Sequence, residues 1–190
     1  LFVSTETQVL KDMKKLLSFK HWQLFLLIVI CGAWTSPSPL KEIINSISVV
    51  VFILWIHAVG VYGQDRIAEL GLQPMNVKLF KTNVIIIGTL SLAGLIYSAT
   101  QGQTNETNSV TNIFELKDIL FVIAVLYLLF AIFQTIFFAC KTITKIEFRR
   151  EVLFGDYFTN LLLMSFFFFG VWILQPKINR LIAIEEEVAY

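Results

Sequence analysis

From Ile119 to Cys140 the chain runs for about twenty residues without a charge. This stretch limits the possible folds more than any other feature. As a helix it is roughly 30 Å long, the thickness of a bilayer's hydrocarbon core. Further apolar runs cover about 19–34, 43–62, 79–97 and 152–174, the last containing four consecutive phenylalanines, Phe166 to Phe169. Strands of a membrane barrel would alternate apolar and polar residues over about ten positions. These runs are continuously apolar, so helices are expected. Hydrophobic types make up 56% of the 190 residues and charged types only 15%, against roughly 25% in soluble domains. Too little polar surface exists to cover a soluble core of this size, and lipid is the expected solvent. The expected fold is an all-α, polytopic membrane helix bundle of five transmembrane helices, a single membrane domain over residues 1–190.

Each connection reads as a break. Ser36-Pro37-Ser38-Pro39 removes backbone donors, Gly71-Leu72-Gln73-Pro74 interrupts the second link, and Gln101 to Asn112 is polar without apolar periodicity. Lys141 to Glu151 is charged, and Gln175-Pro176 is expected to end the fifth helix. Leu1 to Leu10 is polar and mixed and does not read as a signal peptide, so the first apolar run is expected to direct insertion. Beyond Pro176, Ile178, Leu181, Ile182 and Val188 recur at helical spacing beside Glu185-Glu186-Glu187. Residues 176–189 therefore predict an amphipathic surface helix.

The uncharged part of the first run, Trp22 to Trp34, is short, at roughly 20 Å as a helix. Lysine and arginine, which gather in cytoplasmic connections, decide its reading. If all five runs cross, one side holds Lys11, Lys14, Lys15, Lys20, Arg66, Lys78, Lys81, Lys141, Lys145, Arg149 and Arg150, and the other Lys41, Lys117, Lys177 and Arg180. That split is 11 against 4; without a first crossing it becomes 8 against 7. Five crossings put the N-terminus in the cytoplasm and the C-terminus outside. Trp22, Trp34, Tyr62, Tyr97, Tyr157 and Trp172 fall near the proposed interfaces, where amphipathic rings prefer to sit, whereas Trp55 and Tyr127 are expected to pack inside.

His57 is the one ionisable residue deep within a run, a position that defaults to a functional hypothesis. The plainer expectation is a neutral imidazole bonded to a hydroxyl or carbonyl of a neighbouring helix. Gln134 and Asn160 are mid-run amides, which commonly bond between helices. Asp156 and Asn160, four apart, share a helical face and serve packing, capping or a cation. Gly88, Ser91, Gly94, Ser98 and Ala99 form a small-residue sector on the third run. Such a sector permits close helix approach, against another helix of the chain or a partner protein.

Cys31 and Cys140 stand alone in or beside apolar runs and read as buried thiols. No metal, cofactor or catalytic motif is recognisable, and no basic face with interleaved aromatics suggests nucleic acid. Asn105-Glu106-Thr107 fits a glycosylation sequon.

Phe19-Lys20-His21-Trp22-Gln23-Leu24-Phe25-Leu26 and Gly170 to Arg180, the segment Gly-Val-Trp-Ile-Leu-Gln-Pro-Lys-Ile-Asn-Arg, resemble the ends of a group of small inner-membrane proteins of Bacteroidota. The resemblance implies a bacterial inner membrane and no particular chemistry. The expected function is non-enzymatic: an accessory or scaffold subunit, or a homo-oligomer, with the bilayer and a protein as partners and no cofactor. The alternative is a small channel or transporter for an ion, proton or lipid-like solute, with His57, Gln134, Asp156 and Asn160 along its route.

Overall fold

A computed structural model of the chain describes residues 17–30, 40–100 and 116–188. The described residues are helical, without strands. Helix α1 (His21–Leu24) continues as a π-helical segment, Phe25–Ile30. Helices α2 (Leu40–Glu69), α3 (Lys78–Thr100) and α4 (Leu116–Phe148) are long, α5 (Phe154–Ser165) is short, and α6 spans Phe167–Val188. Among the described residues two stretches, Ile44–Glu69 and Ile119–Phe148, are long and apolar enough to cross a membrane. The end of the first run, the Ser36–Pro39 break and the 105–107 sequon lie outside the described residues, as do the side chains of Tyr97 and Ser98.

Helices α2, α3 and α4 pack as a three-helix unit. The α2–α3 turn follows from Gly71, whose φ of +72° an L side chain resists. The Leu72 amide then donates to the Ile67 carbonyl at 3.1 Å and closes the last turn of α2. Close packing is set by two α2 glycines. A Cβ at Gly60 would overlap the Phe80 ring of α3, and one at Gly63 would overlap Thr142 of α4. Phe80 in turn stacks on Phe138 with centroids 4.6 Å apart. Three helices thus meet where one of them has no side chain.

The first run lies antiparallel to α2. Leu17 sits beside Val59 and Gly63, while the Ile28 carbonyl accepts a hydrogen bond from Ser48 Oγ, about three turns nearer the start of α2.

The fifth apolar run departs from expectation. It is two helices joined at Phe166, whose φ and ψ of −98° and 57° are not helical. In one straight helix Asn160 and Lys177 would stand about 25 Å apart; here Lys177 Nζ donates to Asn160 Oδ1 at 3.2 Å. The corner needs Gly170, since a Cβ there would collide with the Leu163 backbone. From it α6 runs alongside α2 in the same direction. Phe167 packs edge-on to Phe52 and Trp55, with centroids 5.1 and 5.5 Å away, and Ile178 lies beside Val59 and Gly63. Lys177 Nζ also donates to Glu147 Oε2 at 2.8 Å, at the end of α4 that the fifth run departed from. The run therefore folds back on itself at Phe166 and is not the one continuous helix expected over 152–174, and Lys177 of α6 returns to the end of α4 that the run departed from.

Pro176 does not end a helix either. It lies inside α6, although an interior proline costs about 3 kcal/mol. Burial of Leu174 and Ile178 and the hydrogen bonds of Gln175 offset that cost. Residues 176–188 thus continue α6 instead of forming a separate surface helix.

Candidate functional site

The polar interior gathers at the end of the bundle where α2 and α4 finish, termed the basic end. Gln64 anchors it: its amide nitrogen donates to Thr142 Oγ1 and its oxygen accepts the Met75 amide, at 2.9 and 2.7 Å. Lys145 is only 2% exposed, yet its ammonium reaches the Gln73 carbonyl (2.7 Å) and Glu151 Oε1 (2.5 Å). The buried stem with an outward, paired head explains how a charge is tolerated there. Asn160 donates to Thr144 Oγ1 at 2.7 Å while accepting from Lys177, which pins the returning hairpin to α4.

A second node lies deeper. Gln175, fully buried, accepts from Trp55 Nε1 at 2.9 Å. Its amide nitrogen faces the carbonyls of Leu17 and Phe19, at 2.6 and 2.7 Å, and Asn179 Oδ1 at 3.0 Å. One side chain thereby fastens the first run, α2 and α6 together. A third node joins α3 to α4: Asn83 Nδ2 donates to Gln134 Oε1 at 3.0 Å, and Tyr127 donates to Asn83 Oδ1 at 2.9 Å.

The residues singled out from sequence are distributed among these places and are not brought together. Gln134 bonds across helices. Asp156 accepts the Leu153 amide at 2.9 Å and Arg150 at 3.0 Å, so it caps α5 while Asn160 faces α4. The two do not share a ligand site, and among the described residues no three His, Cys, Asp or Glu side chains converge. His57 is half-buried and stacks on Phe80, centroids 6.3 Å apart and planes 7° apart. The hydrogen bond expected for it is not formed with any described residue. Trp55 is buried as expected. Tyr127 is half exposed, with only its hydroxyl turned inward.

A Cβ at Gly88 or Gly94 would meet nothing within 4 Å, so neither glycine makes a close approach to another helix among the described residues. Between them Ser91 borders two spaces that also share Val49. One, of about 300 Å³, lies among α2, α3 and α4; the other, of about 220 Å³, reaches Asn45 and Ser46. The larger space has apolar walls. Its two hydroxyls are already engaged within their own helices: Ser91 donates to the Ile87 carbonyl and Thr135 to the Ile132 carbonyl, both at 2.8 Å.

No family model matches the chain, and no curated protein or solved structure shows significant similarity to it.

Gln175, Lys145, Gln64 and Asn45 were not singled out from sequence. Gln175 had a usable signal, a second amide four residues on at Asn179, the spacing of one helical face.

Proposed function

We propose that this is an integral membrane protein that works by contact inside the bilayer, as an accessory or scaffold subunit or as a self-associating unit, without covalent chemistry. The observation that carries this reading is the use made of the interior polar groups. Gln64, Asn83, Gln134, Asn160 and Gln175 each bond another element of the same chain. They act as glue between helices. What is left to meet other molecules is apolar: most side chains of α4 from Ile119 to Phe133 are exposed.

The membrane topology in this reading has four crossings, by the first run, α2, α3 and α4, followed by a re-entrant hairpin. Charge supports it. Of the twelve lysines and arginines in the described residues, only Lys41 and Lys117 lie toward the far end; Lys20, Arg66, Lys78, Lys81, Lys141, Lys145, Arg149, Arg150, Lys177 and Arg180 lie toward the basic end. Ten against two is a steeper asymmetry than the eight against four that five crossings give for the same residues. The basic end is therefore cytoplasmic and carries both ends of the described chain. The sequence resemblance favours a bacterial inner membrane.

Purification in a mild detergent with chemical crosslinking tests the functional reading. A partner or a second copy should co-purify; a monomer alone at every expression level, including the native one, contradicts it. One observation favours the second reading, a small transporter or channel. The hairpin breaks at Phe166 and brings Asn160 and Lys177 against Thr144 and Glu147, and irregular backbone at membrane depth is tolerated where protein or a water-filled cavity surrounds it. Ion or proton flux in proteoliposomes that disappears in Asn160→Leu, with folding kept, would establish that reading instead.

A further inference from the structure

We infer that the cleft between Arg66 and Arg149, at the basic end, binds one phosphate group, carried on an anionic lipid headgroup or free in solution. The guanidinium pair follows from the geometry of the chain; only the lipid source of the phosphate rests on the membrane reading above.

Arg66, in the last turn of α2, and Arg149, just past the end of α4, line one space of about 60 Å³. Leu70, Ile146 and Leu181 give it apolar walls. Water in the liquid occupies about 30 Å³ per molecule. The space therefore takes a group of about two waters' size, such as a single tetrahedral oxyanion, and the rest of a larger ligand stays outside it.

The side chains select the charge of the occupant. The Arg66 side chain is only 13% exposed, and Glu69, itself half exposed, accepts from Nη1 alone at 2.7 Å. Arg66 Nε is shielded and unpartnered, so a ligand meets the outer nitrogen that Glu69 leaves free. A guanidinium so far withdrawn from water is short of acceptors. Arg149 is exposed and forms no ion pair with a described residue, whereas the adjacent Arg150 is held by Asp156 at 3.0 Å. Arg149 also sits at a φ of +50°, in the left-handed region that glycine enters freely. Its amide closes α4 on the Lys145 carbonyl at 3.0 Å, a cap that needs no side chain. The arginine there adds a second guanidinium to the cleft at the expense of backbone strain.

Glu147 borders the same space and would repel an anion, but Lys177 Nζ neutralises it at 2.8 Å. Two guanidiniums from different helices match the several oxygens of a phosphate. In the membrane reading this end faces the cytoplasmic leaflet, where basic pockets between helices take anionic headgroups.

The test uses the full chain in a non-ionic detergent. Phosphatidylglycerol and, as a control, phosphatidylcholine are titrated in and read by native mass spectrometry; inorganic phosphate is read by its effect on Tm and by displacement of the lipid. One ligand should bind per chain, with phosphatidylglycerol preferred to phosphatidylcholine. Arg66→Gln and Arg149→Gly should each weaken binding about tenfold or more, and Arg150→Gln should leave it unchanged. Arg149→Gly suits the backbone at that position, so it should raise Tm without ligand while losing the ligand, which separates loss of the site from loss of the fold. If Arg66→Gln does not fold, judged by gel filtration, Arg149→Gly decides. Phosphatidylglycerol that millimolar phosphate does not displace assigns the lipid; a Tm raised by inorganic phosphate alone, and lost in Arg149→Gly, assigns the free anion. Should the chain stay in solution without detergent, the membrane reading fails and inorganic phosphate alone decides the site. Binding of neither probe, binding that survives both substitutions, or an equal loss in Arg150→Gln overturns the site.

Discussion

The two ends of the bundle are built differently although the same three helices run through both. Near the basic end α4 is buried at Phe138, Ala139, Cys140, Ile143 and Ile146, and α2 at Trp55, Ile56, Ala58 and Val59. The first run and the α5–α6 hairpin supply further layers there, held in place by the hydrogen bonds of Gln175 and Asn160. Toward the far end the hairpin is missing, because the fifth run turns back at Phe166. There α4 exposes Leu120, Phe121, Leu126 and Phe130 in turn, and the three helices leave a gap. The folded-back hairpin thus makes one half of the helix bundle resemble a packed core and leaves the other half to whatever surrounds it.

The contrast between halves can be broken by substitution, and the largest effects belong to the glycines of the packed half. Gly63→Leu should drive α2 from α4 and destabilise the protein by about 3 kcal/mol or more, read as a large drop in Tm in detergent, with Gly60→Leu similar. Gly94→Leu, with open space around it, should stay within about 0.5 kcal/mol; equal losses at Gly63 and Gly94 would erase the distinction between the halves.

Next in size is Gln175→Leu. It leaves the Leu17 carbonyl and the indole N–H of Trp55 without partners, and the Phe19 carbonyl with only Asn179 Nδ2 at 3.3 Å, which should cost about 2–3 kcal/mol. Hydrogen exchange should rise in residues 17–30 before it rises in α4. Lys145→Met removes a partner from Gln73 and Glu151, but Glu151 is largely exposed and water replaces part of the loss. About 1–2 kcal/mol is expected, measured by the same thermal melts. Smallest is His57→Phe, which keeps the stack on Phe80 and breaks no described hydrogen bond. It should shift stability by less than about 1 kcal/mol, and abolition of function with the fold intact would reveal a proton-handling role that its packing does not require.

Much of the fold was legible because apolar length reports helices. The expected runs 43–62, 79–97 and 119–140 fall inside α2, α3 and α4, which extend further because their polar ends stay helical. The fifth run misled because hydropathy is the same for a helix that crosses and for one that turns halfway. The turn depends on Gly170 approaching Leu163, a tertiary contact that no local pattern encodes. Residue size misled in the same way. Gly60 and Gly63 lie three apart on α2 and are as small as Gly88 and Gly94, yet only the first pair has a neighbouring helix against it. Smallness permits contact without choosing which face receives one. Asp156 was legible as a cap from its position near the start of a run, whereas the partners of Asn160 arise only once α6 has folded back.

The return of the fifth run toward the basic end is the central claim, and the sidedness of α6 tests it most directly. Single cysteines at Arg149, Arg180 and Lys117, with Cys31 and Cys140 replaced, can be labelled by an impermeant maleimide in oriented membrane vesicles. Arg149→Cys and Arg180→Cys should react from one face and Lys117→Cys from the other. Reaction of Arg180→Cys from the same face as Lys117→Cys would mean that the fifth run crosses after all, and would contradict the hairpin.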